Sequence, residues 1–145
     1  MIRKAMPSDY GQLVALAIEA LQIDHYEELV ISKDKVSALV RNATSSAQHF
    51  LWVSELDGRI VGAIGAGVFP LMFHERSSAS IALWYCKSGN DGFRLLDKFM
   101  QWAKERPMIK QVQYCTERKG DPRIQRVLER RYGFKSDVKF LYRNR

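Results

Sequence analysis

Cysteine is scarce in this chain, since Cys86 and Cys115 are the only two. Their separation matches no metal-binding spacing, and isolated thiols in a reducing compartment stay reduced. We therefore expect neither a disulfide framework nor a metal site, and we interpret both cysteines as packing residues of strands.

Long hydrophobic runs are also missing. The longest apolar stretches are broken by glycine, charge or proline before they reach the roughly 18 residues of a membrane-spanning helix. The first seven residues, Met1 to Pro7, lack the apolar region of a signal peptide. From these absences we expect a cytoplasmic protein that does not enter a membrane.

Acidic residues are few relative to basic ones, with 16 Asp and Glu against 23 Lys and Arg and a net charge of +7. This excess favours anionic partners, either nucleic acid or the phosphates of a nucleotide cofactor. Many basic residues follow Lys87, which is compatible with a phosphate-binding face or with a solvated helix face. The 145 residues and the 46% hydrophobic share are typical of a globular chain, and we predict one domain over residues 1–145.

Hydrophobic periodicity predicts the element order β-α-α-β-β-β-α-β-α-β. The strands are predicted at residues 2–5, 50–53, 60–69, 79–86, 109–115 and 138–142. One helix is predicted after Pro7-Ser8-Asp9. A second is predicted from Ser32, with Val36, Leu39 and Val40 facing inward and a polar loop over residues 42–46 at its end. Two more are predicted over residues 91–106 and between Asp121-Pro122 and Gly133.

Two features of this order define the fold class. Asp57-Gly58 between two β-rich runs predicts a hairpin, because both positions tolerate positive φ. The helix that joins the fourth and fifth strands implies that these two strands are parallel. We therefore predict an α/β (α+β) fold with a mixed, mostly antiparallel sheet flanked by helices.

The turn between the fourth strand and the third helix has features of an anion-binding loop. It reads Lys87-Ser88-Gly89-Asn90-Asp91-Gly92, and an amphipathic helix follows. Unpaired backbone N–H groups at a helix N-terminus attract a pyrophosphate. Gly89 and Gly92 permit close approach and unusual φ, and asparagine is the non-glycine residue that best tolerates the left-handed region.

The element order and this loop together resemble the GNAT superfamily of N-acetyltransferases. The acetyl-CoA motif of that family has Arg or Gln, two residues, Gly, one residue, and Gly or Ala. Lys87 stands at the basic position, Asn90 at the first glycine and Gly92 at the second. Asn90 departs from the motif, and the stretch between Trp84 and Lys87 lacks the usual proline-containing turn.

The resemblance extends over essentially the whole chain and has a finer component. In detail the chain is similar to small acetyltransferase-like proteins of tailed phages. The blocks that carry this similarity are Pro70 to Phe73, Trp84-Tyr85, Trp102 to Glu105 and Asp121 to Arg123.

The resemblance implies that acetyl-CoA is the co-substrate, that no metal takes part, and that a primary amine attacks the thioester directly. It also implies that strands four and five splay apart and that the pantetheine arm pairs with strand four. The protein then supplies proximity, an oxyanion-stabilising N–H and proton transfer. The residues expected to bind the cofactor are Trp84, Tyr85, Cys86, Lys87, Ser88, Gly89, Asn90, Asp91, Gly92, Phe93 and Arg94.

The general acid of the family is often a tyrosine four residues before Gly-Phe, a position held here by Glu129, or by Leu128 if one residue is inserted. Tyr132 is the nearest phenol and our candidate acid, although it also fits as the last apolar residue of its helix. Tyr114 is a second candidate, with packing as its alternative.

The usual general base is a glutamate on strand four, but residues 80–83 contain no acid. His74 and Glu75, just upstream, are the candidate bases. His25 and Tyr26 lie between the first two helices, where this family builds its acceptor pocket, and are the candidate substrate-binding residues.

Three functions remain in competition. The first is an active N-acetyltransferase whose acceptor amine belongs to a small molecule or a protein. The second is a catalytically degenerate binding or structural module, associated with a phage. The third is an acetyltransferase acting on an aminoacyl-RNA, which the net charge of +7 favours. We expect a monomer or a homodimer, in the host cytoplasm if a phage encodes it.

Overall fold

A computed structural model describes residues 1–23, 29–87, 90–114, 121–136 and 143 of the chain. The chain divides into two compact units, the first comprising 1–23 and 31–115 and the second 24–30 and 116–145. The predicted strand at 138–142 lies outside the described residues. One domain over residues 1–145 stays a prediction.

The first unit contains a five-stranded mixed sheet. Its strands lie side by side in chain order. The first three neighbouring pairs are antiparallel and the last pair is parallel. The strands are β1 (Ile2–Lys4), β2 (His49–Leu56), β3 (Arg59–Pro70), β4 (Ser77–Cys86) and β5 (Ile109–Tyr114). The predicted fold class is confirmed.

The hairpin between β2 and β3 turns at the two predicted residues. Asp57 has φ 50° and Gly58 has φ 78°. A two-residue turn with positive φ at both positions matches the right-handed twist of the strands that it joins. This turn fixes the register of β2 against β3.

Among the described residues, three helices belong to the first unit and one to the second. Two predictions about the second helix are wrong: residues 42–45 continue the helix instead of forming a loop, and Leu39 is 65% exposed. The hydroxyls of Thr44 and Ser45 donate to the carbonyl of Arg41, which lets polar residues remain helical. The helices are α1 (Tyr10–Ile23), α2 (Lys33–Ser45), α3 (Gly92–Lys104) and α4 (Pro122–Tyr132), with a short 3₁₀ turn, Pro7–Asp9, before α1.

The sheet of the first unit is packed on both faces. Alternate residues of a strand point to opposite faces. Leu51 and Val53 of β2 therefore pack with α1 and α2. Phe50 packs on the other face against Phe99 of α3, at 5.5 Å between ring centroids. Full burial of a side chain as large as Phe99 contributes about 2–3 kcal/mol.

The second unit contains α4, whose two ends match the prediction. The side chain of Asp121 accepts a hydrogen bond from the N–H of Arg123, and Pro122 occupies the first turn. Gly133 ends the helix with φ 73°. An acidic cap and a left-handed glycine are the usual signals at these positions, which is why the sequence predicted both ends.

Candidate functional site

The central feature of the site is a fork between the two parallel strands. The last described pair between them joins Ile81 of β4 to Tyr114 of β5. β4 continues beyond this pair to Cys86 and over that length pairs with β3. The edge of β4 at residues 82–86 is therefore the open side of the fork among the described residues.

A β-bulge lies where the fork begins. Gly65 of β3 pairs with Leu83, whereas the next residue, Ala66, pairs with Ile81. Ala82 is the extra residue on β4 and has no partner on β3. A bulge releases backbone groups from the ladder and redirects the strand, and bulges are common next to functional sites.

Trp84 ties the fork to the beginning of α3. Its indole Nε1 donates a 2.9 Å hydrogen bond to the carbonyl of Gly92. Its ring also contacts Phe93 and Tyr114 edge to face, each at 5.5 Å between centroids. One side chain therefore connects β4, β5 and the first turn of α3.

The end of β4 approaches β3 closely at Cys86. Cys86 pairs with Gly62, where a Cβ atom would lie 2.7 Å from the Cys86 sulfur and 3.1 Å from its Cα. At Gly92 a Cβ would lie 3.8 Å from Cys86 Cβ, an ordinary contact. Glycine is therefore sterically required at position 62 rather than at position 92.

The beginning of the predicted phosphate loop is held to the sheet. The N–H of Lys87 donates to the carbonyl of Val61 at 2.9 Å. The ammonium of Lys87 forms an ion pair with Glu19 of α1 at 3.3 Å, and both side chains are 44% exposed. Ser88 and Gly89 lie outside the described residues. A cation is thus placed between the end of β4 and the beginning of α3.

Asp91 precedes α3 but its carboxylate does not cap the helix. Oδ2 accepts a 2.8 Å hydrogen bond from Ser54, and Oδ1 accepts a 2.9 Å bond from Arg94. The hydrogen bond from the Ser54 hydroxyl is the main cause that lowers the pKa of Asp91. The bond from Arg94 lowers this pKa further, whereas burial acts in the opposite direction. The first-turn N–H groups of α3 are therefore not occupied by the carboxylate beside them.

The remaining predicted cofactor residues differ in where they point. Asn90 and Arg94 are exposed, and Phe93 is partly buried against Trp84. Tyr85 packs with the α1 and α2 cluster on the opposite face from Trp84. Gly92 does not have a positive φ, so the structure does not use the conformational freedom that glycine permits at this position.

The structure does not bring the predicted bases to the fork. His74 and Glu75 are exposed in the loop that joins β3 to β4. That loop adjoins Ser77, whereas the predicted phosphate loop follows Cys86 at the other end of β4. A strand rises about 3.3 Å per residue, so His74 and Glu75 are separated from Lys87 by nearly the full length of β4.

The other predicted acid and acceptor residues are distributed as follows. Tyr132 is half-buried in the last turn of α4, in the second unit, and the Arg131 guanidinium lies 5.3 Å from its ring centroid. His25 and Tyr26 lie outside the described residues. Tyr114 packs against Trp84 at the fork.

Sequence reasoning missed two residues that position the site. Ser54 is 3% exposed in β2 and bonds Asp91, and Glu19 of α1 pairs with Lys87. A polar residue at an inward position of an apolar strand was the signal available for Ser54. Nothing in the sequence around Glu19 indicated its partner, because the contact spans 68 positions.

Metal-binding clusters and membrane-spanning helices are both absent from the part of the chain that the structure describes. Within the described ranges, no three His, Cys, Asp or Glu side chains group together as a metal site would require. None of the described helices has the length and apolarity to cross a membrane.

Solved acetyltransferases share this fold over nearly the whole chain. A predicted acetyltransferase from Clostridium acetobutylicum, solved with acetyl-CoA, has a TM-score of 0.76 at 20% identity and covers 99% of this chain and 95% of that one. A GNAT family acetyltransferase from Staphylococcus aureus has a TM-score of 0.65 at 16% identity, covering 99% and 97%. An aminoglycoside acetyltransferase from an uncultured soil metagenomic sample, in complex with sisomicin, has a TM-score of 0.63 at 16% identity, covering 100% and 96%.

The chain therefore has the fold of GNAT-family acetyltransferases. No family model and no curated protein matches its sequence. The finer relationship to phage proteins stays a prediction.

Proposed function

We propose that this protein is an N-acetyltransferase that transfers the acetyl group of acetyl-CoA to a primary amine by direct attack. The observation that carries this proposal is the fork, in which β4 continues past its last pair with β5, Ile81 with Tyr114, directly into the loop before α3. The similar Clostridium acetobutylicum structure, solved with acetyl-CoA, supports the same assignment.

The residues present fit acetyl-CoA. A pantetheine arm carries amide groups that need backbone partners, and the open edge of β4 at residues 82–86 offers them. A pyrophosphate needs N–H donors and a cation, which the first turn of α3 and Lys87 supply. Ser54 and Arg94 bind the carboxylate of Asp91, which leaves the first-turn N–H groups of α3 without a side-chain cap.

When bound, acetyl-CoA supplies an activated acetyl thioester, and the chain supplies position and polar contacts. The bulge at Ala82 leaves backbone groups uncommitted to β3 at the beginning of the fork. An N–H held there in advance stabilises the negative charge that develops on a carbonyl oxygen under attack. Holding the amine beside the thioester removes the entropic cost of their encounter.

Proton transfer is the step for which the sheet provides the fewest candidate side chains. β3, β4 and β5 contain no aspartate or glutamate. We propose that a coenzyme A thiolate takes its proton chiefly from water, with Tyr132 as the side-chain acid to be tested. His74 and Glu75 stay proposals as bases, although they lie in the loop at the far end of β4.

The second candidate function is a catalytically degenerate module that binds acetyl-CoA or another partner without transfer. The same absence of a carboxylate from β4 favours it. Transfer to an amine carried by RNA is a variant of the first function, supported by the net charge of +7.

Release of coenzyme A from acetyl-CoA, measured with a thiol reagent in the presence of a panel of primary amines, tests the proposal. We expect release that depends on both protein and amine, and an acetylated amine detected by mass spectrometry. Binding of acetyl-CoA without transfer to any amine would favour the degenerate module. Transfer that occurs on aminoacyl-RNA alone, and falls steeply with salt, would favour the RNA acceptor.

A further inference from the structure

The loop that joins β3 to β4, residues 71–76, has two large apolar side chains at its tip. A 3.0 Å backbone hydrogen bond joins its first and last residues, and the N–H of His74 donates to the carbonyl of Leu71 at 3.3 Å. The second bond closes a β-turn whose central residues are Met72 and Phe73. Central turn positions usually hold Gly, Pro, Asn, Asp or Ser. The folding of the turn therefore does not explain its two apolar residues.

Both side chains at the tip project into solvent. Met72 is 85% exposed and Phe73 is 86% exposed. Single exposed apolar residues are common on protein surfaces, but a contiguous exposed apolar patch marks a surface that binds something. The turn that carries the patch is already closed by backbone hydrogen bonds, so binding costs little additional ordering of the chain.

A cavity of about 270 Å³ lies near the base of this loop, where the end of α3 meets the beginning of β5. A cavity of about 150 Å³ is large enough to hold benzene. The cavity beside the loop therefore has room for a phenyl ring. Its apolar lining includes Val68, Trp102, Met108 and Ile109.

Met108 connects the loop to the cavity. Its carbonyl accepts a 2.7 Å hydrogen bond from the N–H of Ser77, and its sulfur lies 3.5 Å from Nη1 of Arg76. These two residues follow the turn directly, and Met108 itself lines the cavity. Phe73 is too exposed to occupy the cavity of its own chain. The projecting ring and the cavity are thus two neighbouring features of one surface.

The charges beside the ring and beside the cavity are complementary. Arg106 lines the cavity, and its guanidinium lies 4.3 Å from the Trp102 ring centroid and donates to the Trp102 carbonyl at 3.0 Å. That bond uses one of the five N–H donors of a guanidinium. Glu75, which is exposed, lies two residues after Phe73. A ring inserted into the cavity of another copy therefore brings a carboxylate close to a guanidinium.

We propose that this surface joins two copies of the chain, with Phe73 of each copy inserted into the cavity of the other. A projection and a matching cavity on the same chain make the surface self-complementary, as a two-fold symmetric interface requires. This inference goes beyond the proposed function and does not depend on it.

The size of the surface determines how strong the association is. Large side chains of this kind bury about 150–250 Å² each, so reciprocal insertion of Met72 and Phe73 with the cavity rims buries roughly 1,000 Å² in total. That area is close to the lower limit of about 1,000 Å² for a specific interface. We therefore expect a reversible dimer with a dissociation constant of about 10–100 µM.

Analytical ultracentrifugation of the whole chain from about 1 µM to 1 mM tests the dimer. Phe73→Ser should raise the dissociation constant at least about 10-fold. Leu39→Ser is the matched control, because it removes a 65% exposed apolar side chain from α2 and should leave the dimer unchanged. A wild-type protein that is monomeric over this range would overturn the proposal, and so would a dimer that Phe73→Ser does not weaken.

Mixing two variants tests the reciprocal insertion itself. Ala47→Trp, at an exposed position that lines the cavity, should block the cavity and prevent association just as Phe73→Ser does. A mixed pair keeps one insertion, because one variant retains the ring and the other retains the cavity. We expect the two variants to bind each other at least about 3-fold more tightly than either binds itself. No gain on mixing, or wild-type species larger than a dimer, would overturn the two-fold arrangement.

Discussion

The hydroxyl of Ser54 donates a 2.8 Å hydrogen bond to Oδ2 of Asp91, which joins the interior of β2 to the residue preceding α3. Ser54 is 3% exposed, so the bond is shielded from water. It lowers the pKa of Asp91 below the ordinary 3.8. The stability that this carboxylate contributes is therefore complete above pH 3.8 and is lost as pH falls through the lower, folded-state pKa.

Ser54→Ala should weaken acetyl-CoA binding by about 3- to 10-fold, equivalent to ~1 kcal/mol. Without the hydroxyl, the Asp91 carboxylate is free to cap α3 and to repel the pyrophosphate. Calorimetric titration with acetyl-CoA measures the effect, and denaturant unfolding should show a loss of about 1 kcal/mol. Ser8→Ala, at an exposed position of the 3₁₀ turn before α1, is the control and should change neither quantity. Unchanged affinity in Ser54→Ala would mean that Asp91 does not influence the cofactor.

Lys87→Gln should lower acetyl-CoA affinity by about 3- to 10-fold, because it removes the cation beside the proposed pyrophosphate site. Neutralisation is preferable to charge reversal, since a glutamate at position 87 would repel Glu19, 3.3 Å from the Lys87 ammonium. Titration at low salt measures the effect. Lys104→Gln, in the exposed last turn of α3, is the matched control. Equal losses in the two variants would place the phosphates elsewhere.

Gly62→Ala should reduce the free energy of unfolding by about 2 kcal/mol. The new Cβ would lie 2.7 Å from the Cys86 sulfur and 3.1 Å from its Cα, so β3 and β4 would have to separate. Gly11→Ala in α1 is the control, because a Cβ there meets nothing within 4 Å. That change should stabilise the protein by about 0.5–1 kcal/mol. Denaturant unfolding of both variants checks the opposite signs, and equal stability of Gly62→Ala and wild type would contradict the close approach.

Local signals predicted most of the fold, and they failed at the end of α2, where polar side chains bond back to the helix backbone. Asp57-Gly58 and Asp121-Pro122 encode their turns through backbone preference alone, and both are confirmed. The end of α2 was mispredicted because the polar side chains of Asn42, Thr44 and Ser45 indicated a loop. In the structure two of those side chains bond back to the helix carbonyls, which a composition argument does not anticipate.

Tyr132→Phe should lower turnover by only a few-fold, with stability near wild type. The expected loss for a positioned general acid is about 10²-fold or more, but a coenzyme A thiolate is protonated readily by water. The Arg131 guanidinium lies 5.3 Å from the Tyr132 ring centroid, and a phenylalanine keeps that contact. Steady-state kinetics at neutral pH measure the change. A loss of 10²-fold with unchanged acetyl-CoA affinity would identify Tyr132 as the acid.

The candidate site was predictable from sequence only along one continuous segment. The strand, loop and helix that contain Trp84, Lys87 and Gly92 are contiguous, so motif and periodicity located them together. Ser54 comes from β2, and its relation to that segment depends on sheet register, which no local pattern encodes. The bases proposed from sequence, His74 and Glu75, are close to the phosphate loop in residue number but not in space, because the length of β4 separates them from that loop.

Acetyl-CoA titration followed by the indole N–H resonances of the three tryptophans tests the central claim most directly. Trp84 donates its Nε1–H to Gly92 at the fork, whereas Trp102 lies near the far end of α3 and Trp52 lies on β2. We expect saturable movement of the Trp84 resonance as acetyl-CoA fills the fork, with Trp52 and Trp102 unmoved. A Trp84 resonance that stays fixed into the millimolar range, or that moves no more than the other two, would contradict the placement of acetyl-CoA between β4 and β5.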